Sequence, residues 1–100
     1  MKIVIMIPTY NEKENIARTI DNLEIEFKKI PSRHQMEILV IDDSSPDGTA
    51  DIVKAKGKQY PNVHLLPNRV KAGLGAAYIK SMRYATDKLE ADVVFEYDIK

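Results

Sequence analysis

One hundred residues, 44% of them hydrophobic and 30% charged, are enough for one small soluble domain and not for two. Fifteen Lys and Arg balance fifteen Asp and Glu, so the formal net charge is zero, and neither the basic footprint of a nucleic-acid binder nor a polybasic membrane patch is present. The absence of cysteine excludes a disulfide framework, a thiolate metal site and a cysteine nucleophile, and it fits a reducing compartment.

The chain opens on Ile3 to Ile7, an aliphatic run that reads as a strand buried on both faces and stopped by Pro8. Lys2 before an apolar run has the look of a secretory signal, but the run is short and Pro8-Thr9-Tyr10-Asn11-Glu12 stands where small residues are needed for cleavage. No apolar run approaches the ~18 residues of a membrane-spanning helix. From Glu14 to Lys29, Ile16, Ala17, Ile20, Leu23 and Phe27 recur at spacings of three and four, which predicts an amphipathic helix with Asn11 or Lys13 near its start and Pro31 beyond its end.

The stretch from Met36 to Ile41 predicts a second buried strand, and it delivers Asp42-Asp43-Ser44-Ser45-Pro46-Asp47-Gly48-Thr49, a loop of carboxylates, hydroxyls, Pro and Gly. Asp47 or Thr49 is a candidate cap for the helix that begins at Ala50, Ile52 and Val53, and Gly57 and Pro61 bracket its end. Along it Lys54, Lys56 and Lys58 read as a solvated face. Val63 to Leu66 is a third strand closed by Pro67-Asn68, with His64 as a satisfied structural histidine; His34, in the polar connector before strand two, reads as solvated. A helix through Ala76, Ala77, Ile79, Met82 and Ala85 then leads to a fourth strand over Asp92 to Asp98. Strand alternating with helix predicts right-handed crossovers and an α/β unit, a parallel sheet with helices on both faces. In such sheets ligands bind beyond the carboxyl ends of the strands, where Asp42 and Asp43 lie; Asp42 reads equally as a loop cap and as a ligand contact.

Three blocks carry a resemblance to a known family: Ile7-Pro8-Thr9-Tyr10-Asn11-Glu12 with Glu14-Asn15-Ile16; Val40-Ile41-Asp42-Asp43 through Thr49; and Lys71-Ala72-Gly73-Leu74-Gly75-Ala76-Ala77-Tyr78. In this order they resemble the family-2 glycosyltransferases, and the third block is similar to the polyprenol-phosphate mannose synthase branch. The resemblance spans essentially the whole chain. It implies the N-terminal, nucleotide-sugar-binding part of a three-layer, Rossmann-like GT-A domain, with strand order 3-2-1-4 over residues 1–100 and the rest of the domain beyond them. It also implies a nucleotide pocket of Pro8, Tyr10, Glu12, Ile41, Asp43, Asp98 and Ile99, and a Mg²⁺ or Mn²⁺ ion at Asp98. Gly73 and Gly75 before a helix, with Arg69 and Lys71, are the candidate phosphate contacts.

Where the family has a second acid after Asp98, this chain has Lys100, an ammonium that cannot ligate a cation. The activity implied is inverting transfer of a hexose, mannose from GDP-mannose, to a polyprenyl (dolichyl) phosphate by a cytoplasmic protein peripheral to the membrane. The competing reading is a non-catalytic nucleotide-binding or scaffold fragment that self-associates through an uncovered sheet edge or needs a missing C-terminal half. A response-regulator receiver also gathers acids at strand ends, but its acidic pair follows the first strand, and here the third strand ends in Leu66-Pro67-Asn68.

Overall fold

The computed structural model describes residues 1–68 and 74–99, with nothing to be said of the side chains of residues 74–78. Four strands, β1 (Lys2–Thr9), β2 (Gln35–Asp42), β3 (Val63–Pro67) and β4 (Val93–Glu96), alternate with three helices, α1 (Ile16–Phe27), α2 (Thr49–Gln59) and α3 (Leu74–Arg83). The strands form one parallel sheet in the order β3-β2-β1-β4. Order, direction and helix count agree with the expected half of a GT-A sheet. A π-helical turn, Tyr84–Lys88, continues α3.

Period-two alternation divides the apolar residues between two cores. Ile5, Ile7, Ile38, Val40, Val63 and Leu65 face α1 and α2 and meet Ile16, Ile20, Leu23 and Val53. Val4, Met6, Leu39, Ile41, Leu66 and Val94 face the other way, toward Met82, Ala85 and Leu89. Because both faces of β1 and β2 are covered, each carries an unbroken aliphatic run, residues 3–7 and 38–41, which is what made them legible as buried strands.

Several boundaries differ from the sequence expectation. Pro8 does not stop β1, which pairs with β2 through Thr9. Successive residues of a strand aim their main-chain groups at opposite neighbours: the Met6 carbonyl accepts from Tyr97 in the β4 direction (2.8 Å), and the Thr9 carbonyl accepts from Asp43 at the end of β2 (3.0 Å). Pro8, with the parity of Met6, would point its amide past the end of β4, so the missing donor costs no ladder bond. α2 ends at Gln59, between Gly57 and Pro61 as expected; a Cβ on Gly57 would sit 3.3 Å from the Val63 carbonyl oxygen, so the helix can lie close against β3. α1 runs over Ile16–Phe27 rather than Glu14 to Lys29, with Asn15 at the N-cap position and no side-chain cap bond.

Lys56 leaves the solvated face of α2 and pairs with Asp21 of α1 at 2.8 Å, while Tyr60 donates to the same carboxylate at 3.1 Å. Those bonds, that from Lys56 first, hold Asp21 below the usual carboxylate range. His64 is not satisfied: its Nε2 lies 3.5 Å from the buried Glu37 carboxylate, but neither facing atom makes a hydrogen bond. His34 is half-buried rather than solvated.

Beside Asp21, burial pushes the Glu24 carboxyl above its ordinary value of 4.5; the like charges of Glu37 and Asp21 add to this, and a hydrogen bond from Asn62 opposes it. An acid raised in the folded state binds more protons folded than unfolded, so its contribution to stability falls as pH rises from the ordinary value through the raised one. Glu24→Gln is therefore expected to leave stability unchanged well below the ordinary value and to exceed wild type increasingly above it. Urea midpoints across that range would check this.

Candidate functional site

The strand order reverses direction at β1: the chain winds outward from β1 to β2 and β3, then returns to place β4 on the other side of β1. Such a switch point opens a crevice at the carboxyl ends of the strands, and here that edge carries the loops after β1 and β2.

The second loop is built on Asp42, which is 3% exposed. Its carboxylate accepts from the Thr9 hydroxyl (3.0 Å), the Ser45 amide (3.1 Å) and the Ser45 hydroxyl (2.5 Å). Asp42 is thus the loop cap of the two readings left open for it. Asp43 points elsewhere: its amide donates to the Thr9 carbonyl, and its Oδ1 accepts from Asn68 Nδ2 at 3.3 Å. Its Oδ2 has no partner among the described residues. Ser44 between the two loops' anchor points takes a left-handed φ of 53°, and its hydroxyl donates to the Asn68 carbonyl at 3.0 Å. Asn11 in the first loop is left-handed too, at 54°. Two non-glycine residues in this region on facing loops mark the crevice as a place where backbone strain is held in return for shape.

The loops are joined by hydrogen bonds from one main chain to the other's side chains. The amide of Asn11 donates to the Ser45 hydroxyl (2.9 Å), that of Glu12 to the Thr49 hydroxyl (3.1 Å) and that of Lys13 to the Asp47 carboxylate (3.1 Å). Asp47 also accepts from the amide and hydroxyl of Thr49 (3.0 and 2.5 Å). The Thr49 hydroxyl bond first, with the amides of Lys13 and Thr49, holds the Asp47 carboxyl below its usual range. Gly48 makes the turn before α2, with φ of 93°, which a glycine adopts without steric cost. Since the three consecutive amides of the first loop are taken, they are not available to cradle a phosphate.

Of the sequence candidates, the crevice edge brings together Pro8, Tyr10, Glu12 and Asp43. Tyr10 is 57% exposed, so a ring face is free for stacking, and Glu12 is half-buried with Oε2 accepting from Asn15 Nδ2 at 3.3 Å. Ile41 and Ile99 differ: their side chains pack into the two cores, so what either presents at the edge is main chain. Asp98 follows β4 at the same edge and is exposed. Arg69, Lys71, Gly73 and Lys100 lie outside the described residues, and Gly75 falls in the first turn of α3. The sequence reading missed Asn68, Thr9 and the acceptor roles of Ser45 and Thr49. For Asn68, the polar residue directly after β3 was the available signal. Beside the crevice, a cleft of about 240 Å³ lies between Ser44, Ser45, Ala50, Lys54, Leu65 and Pro67 and does not include Tyr10, Glu12 or Asp43.

A parallel doubly wound sheet, with acids and an exposed aromatic ring at its switch point, defines a Rossmann-like α/β class of fold. Comparison with known proteins narrows it. The family model for glycosyl transferase family 2 matches residues 4–97, and the chain belongs to that family. It is 38% identical over 98 residues to an undecaprenyl-phosphate mannosyltransferase of Micrococcus luteus, covering 98% of this chain and 37% of that protein. It is 39% identical over 77 residues to a polyprenol monophosphomannose synthase of Mycolicibacterium smegmatis, covering 76% of this chain and 27% of that protein. Among solved structures it superposes with a TM-score of 0.68 and 29% identity on a mannosyltransferase of Pyrobaculum calidifontis in complex with GDP-Man and Mn²⁺, over 84% of this chain and 24% of the other. With a mannosyl-3-phosphoglycerate synthase of Rubrobacter xylanophilus the TM-score is 0.65 over 82% of this chain and 26% of the other, at 21% identity, a likeness of fold. The chain thus spans 37% and 27% of the length of these two curated relatives.

Whether a divalent ion fits the residues present can be judged from their donors. Asp98 offers one exposed carboxylate and the next side chain, Ile99, is packed into the core; among the described residues no three carboxylate, histidine or cysteine side chains converge. The described residues do not form a self-sufficient Mg²⁺ or Mn²⁺ site. Nor, among them, is any helix long and apolar enough to cross a membrane.

Proposed function

We propose that this chain is the donor-nucleotide part of a glycosyltransferase that moves mannose from GDP-mannose to a polyprenyl phosphate such as dolichyl phosphate, with inversion. The observation that carries this reading is the 38% identity over nearly the whole chain to a relative named for mannosyl transfer to undecaprenyl phosphate. In this reading Tyr10 stacks on the nucleoside, Asp43 accepts base N–H groups through its unpartnered oxygen, and Glu12 accepts ribose hydroxyls. Pro8 shapes the wall of the pocket, and Ile41 and Ile99 contribute main chain. Arg69 and Lys71, with the Gly73–Gly75 turn before α3, take the diphosphate. Transfer is a single displacement: an acceptor phosphate oxygen forms the new bond to the anomeric carbon as the bond to the nucleoside diphosphate breaks. The attacking oxygen is already anionic at neutral pH, so little general-base assistance is required.

Among the described residues after β4, Asp98 offers the carboxylate that a divalent ion would meet, and no step is assigned to such an ion. The test is calorimetric titration with GDP, UDP and GDP-mannose, each with and without Mn²⁺. GDP is expected to bind, with Mn²⁺ changing its affinity less than about threefold, and Lys100→Asp is expected to enlarge that metal effect. The full-length protein is expected to work at the cytoplasmic surface of a membrane. The alternative, a fragment that self-associates, has in its favour the uncovered β4 edge with Phe95 and Tyr97 exposed. A folded chain that binds no nucleotide and sediments as a dimer would favour it over the enzyme reading.

A further inference from the structure

The hydrogen bonds that join the two crevice loops form two relays of the same design. In one, Asp42 accepts the Ser45 hydroxyl proton, which turns a lone pair of that oxygen toward the Asn11 amide. In the other, Asp47 accepts the Thr49 hydroxyl proton, which turns that oxygen toward the Glu12 amide, and Asp47 takes the Lys13 amide directly. A hydroxyl has one proton and two lone pairs, so a carboxylate that takes the proton fixes the oxygen as an acceptor. Each contact is charge-assisted or leads to a carboxylate, which places these bonds among the stronger ones a loop can make. Asp42 and Thr49 are buried, at 3% and 0% exposure, so water is kept from those two anchors, while the Asn11–Ser45 and Lys13–Asp47 bonds lie at the surface.

The side chains held in this way are not those of the second loop but those of the first. Three successive amides of residues 11–13 are fixed from outside, and Tyr10 and Glu12 hang from that main chain. We propose that Ser45, Asp47 and Thr49 are positioning residues for the donor nucleotide: by receiving the amides of Asn11, Glu12 and Lys13 they set the pose in which Tyr10 and Glu12 meet it. This rests on the reading of the crevice as a nucleotide site, and it adds the residues that act on the ligand without touching it.

The pose also depends on the left-handed Asn11, which turns consecutive amides toward a single partner loop. Side chains at alternate positions 45, 47 and 49 supply the acceptors, so the shape of the first loop is written in the second.

The test compares Thr49→Val, which keeps the shape of the buried side chain and loses the acceptor, with Thr49→Ser, which keeps the acceptor. GDP affinity is measured by calorimetry on the purified protein at a temperature where circular dichroism shows all variants folded. Thr49→Val is expected to weaken GDP about tenfold and Thr49→Ser to return it to within about threefold of wild type. Ser45→Ala is expected to weaken GDP in the same sense and serves if the valine variant does not fold. If Thr49→Val and Ser45→Ala lower the melting temperature yet bind GDP within about twofold of wild type, the residues are only a brace for α1 and the proposal is overturned. Wild-type protein that binds neither GDP nor UDP would overturn the nucleotide reading itself, a result that does not depend on the variants.

Discussion

Asp42→Ala is expected to lower folding stability by about 2–3 kcal/mol, read as a reduced urea midpoint at unchanged slope. The carboxylate is buried and accepts three hydrogen bonds, from the Thr9 hydroxyl and from the amide and hydroxyl of Ser45. Removing it leaves the partly buried Ser45 amide without its acceptor, and the penalty is the incomplete solvation of that stranded donor as well as the lost bonds. The Thr9 hydroxyl retains the Ile41 carbonyl at 3.3 Å, which limits the loss on that side. Asp42→Asn keeps an acceptor oxygen and is expected to recover about half of the deficit. A stability loss under about 0.5 kcal/mol, the range of an ordinary surface change, would contradict the capping role.

Asp43→Ala is expected to do the reverse, weakening GDP about ten- to hundredfold while moving the urea midpoint little. Among the described residues its carboxylate has one long contact, from Asn68 Nδ2, so folding relies on it little. A base that donates to a charged carboxylate loses about 1.5–3 kcal/mol when the acceptor is removed, and every 1.4 kcal/mol is tenfold in affinity. The two adjacent aspartates are thus expected to separate completely: one carries the loop, the other the ligand. Calorimetry and urea denaturation on the same two variants would show the crossing, and equal effects of both substitutions on both quantities would remove the distinction.

Most of the architecture was legible because burial on both faces leaves β1 and β2 with unbroken aliphatic runs, while α1 shows its stripe of Ile16, Ile20, Leu23 and Phe27. What failed did so for local reasons. Pro8 looked like a terminus because a proline removes a donor, yet the cost depends on which neighbour the donor would have faced, and that is set by the position of β4. The close approach of Gly57 to the Val63 carbonyl was not readable, because it depends on where β3 lies against α2. Lys56 looked solvated because one-dimensional periodicity cannot show that Asp21 of another helix lies across from it.

In the site, residue types and strand ends pointed to the right edge, and Asp42 and Asp43 were distinguishable only once their partners were known. The acceptor roles of Ser45 and Thr49 were hidden for a related reason. Their partners are main-chain amides 34 and 37 residues away, and main-chain groups leave no mark in a sequence.

Because the first loop is held by its amides, its shape is decoupled from its chemistry. Amides are common to every residue but proline, so positions 12 and 13 can exchange side chains without disturbing the bonds that place them, whereas position 11 must tolerate a left-handed backbone. A library varied at Tyr10, Glu12 and Lys13 over a constant Ser45, Asp47 and Thr49 would therefore sample new ligand preferences on an unaltered frame, and proline is the single substitution that such a library should omit at 12 and 13.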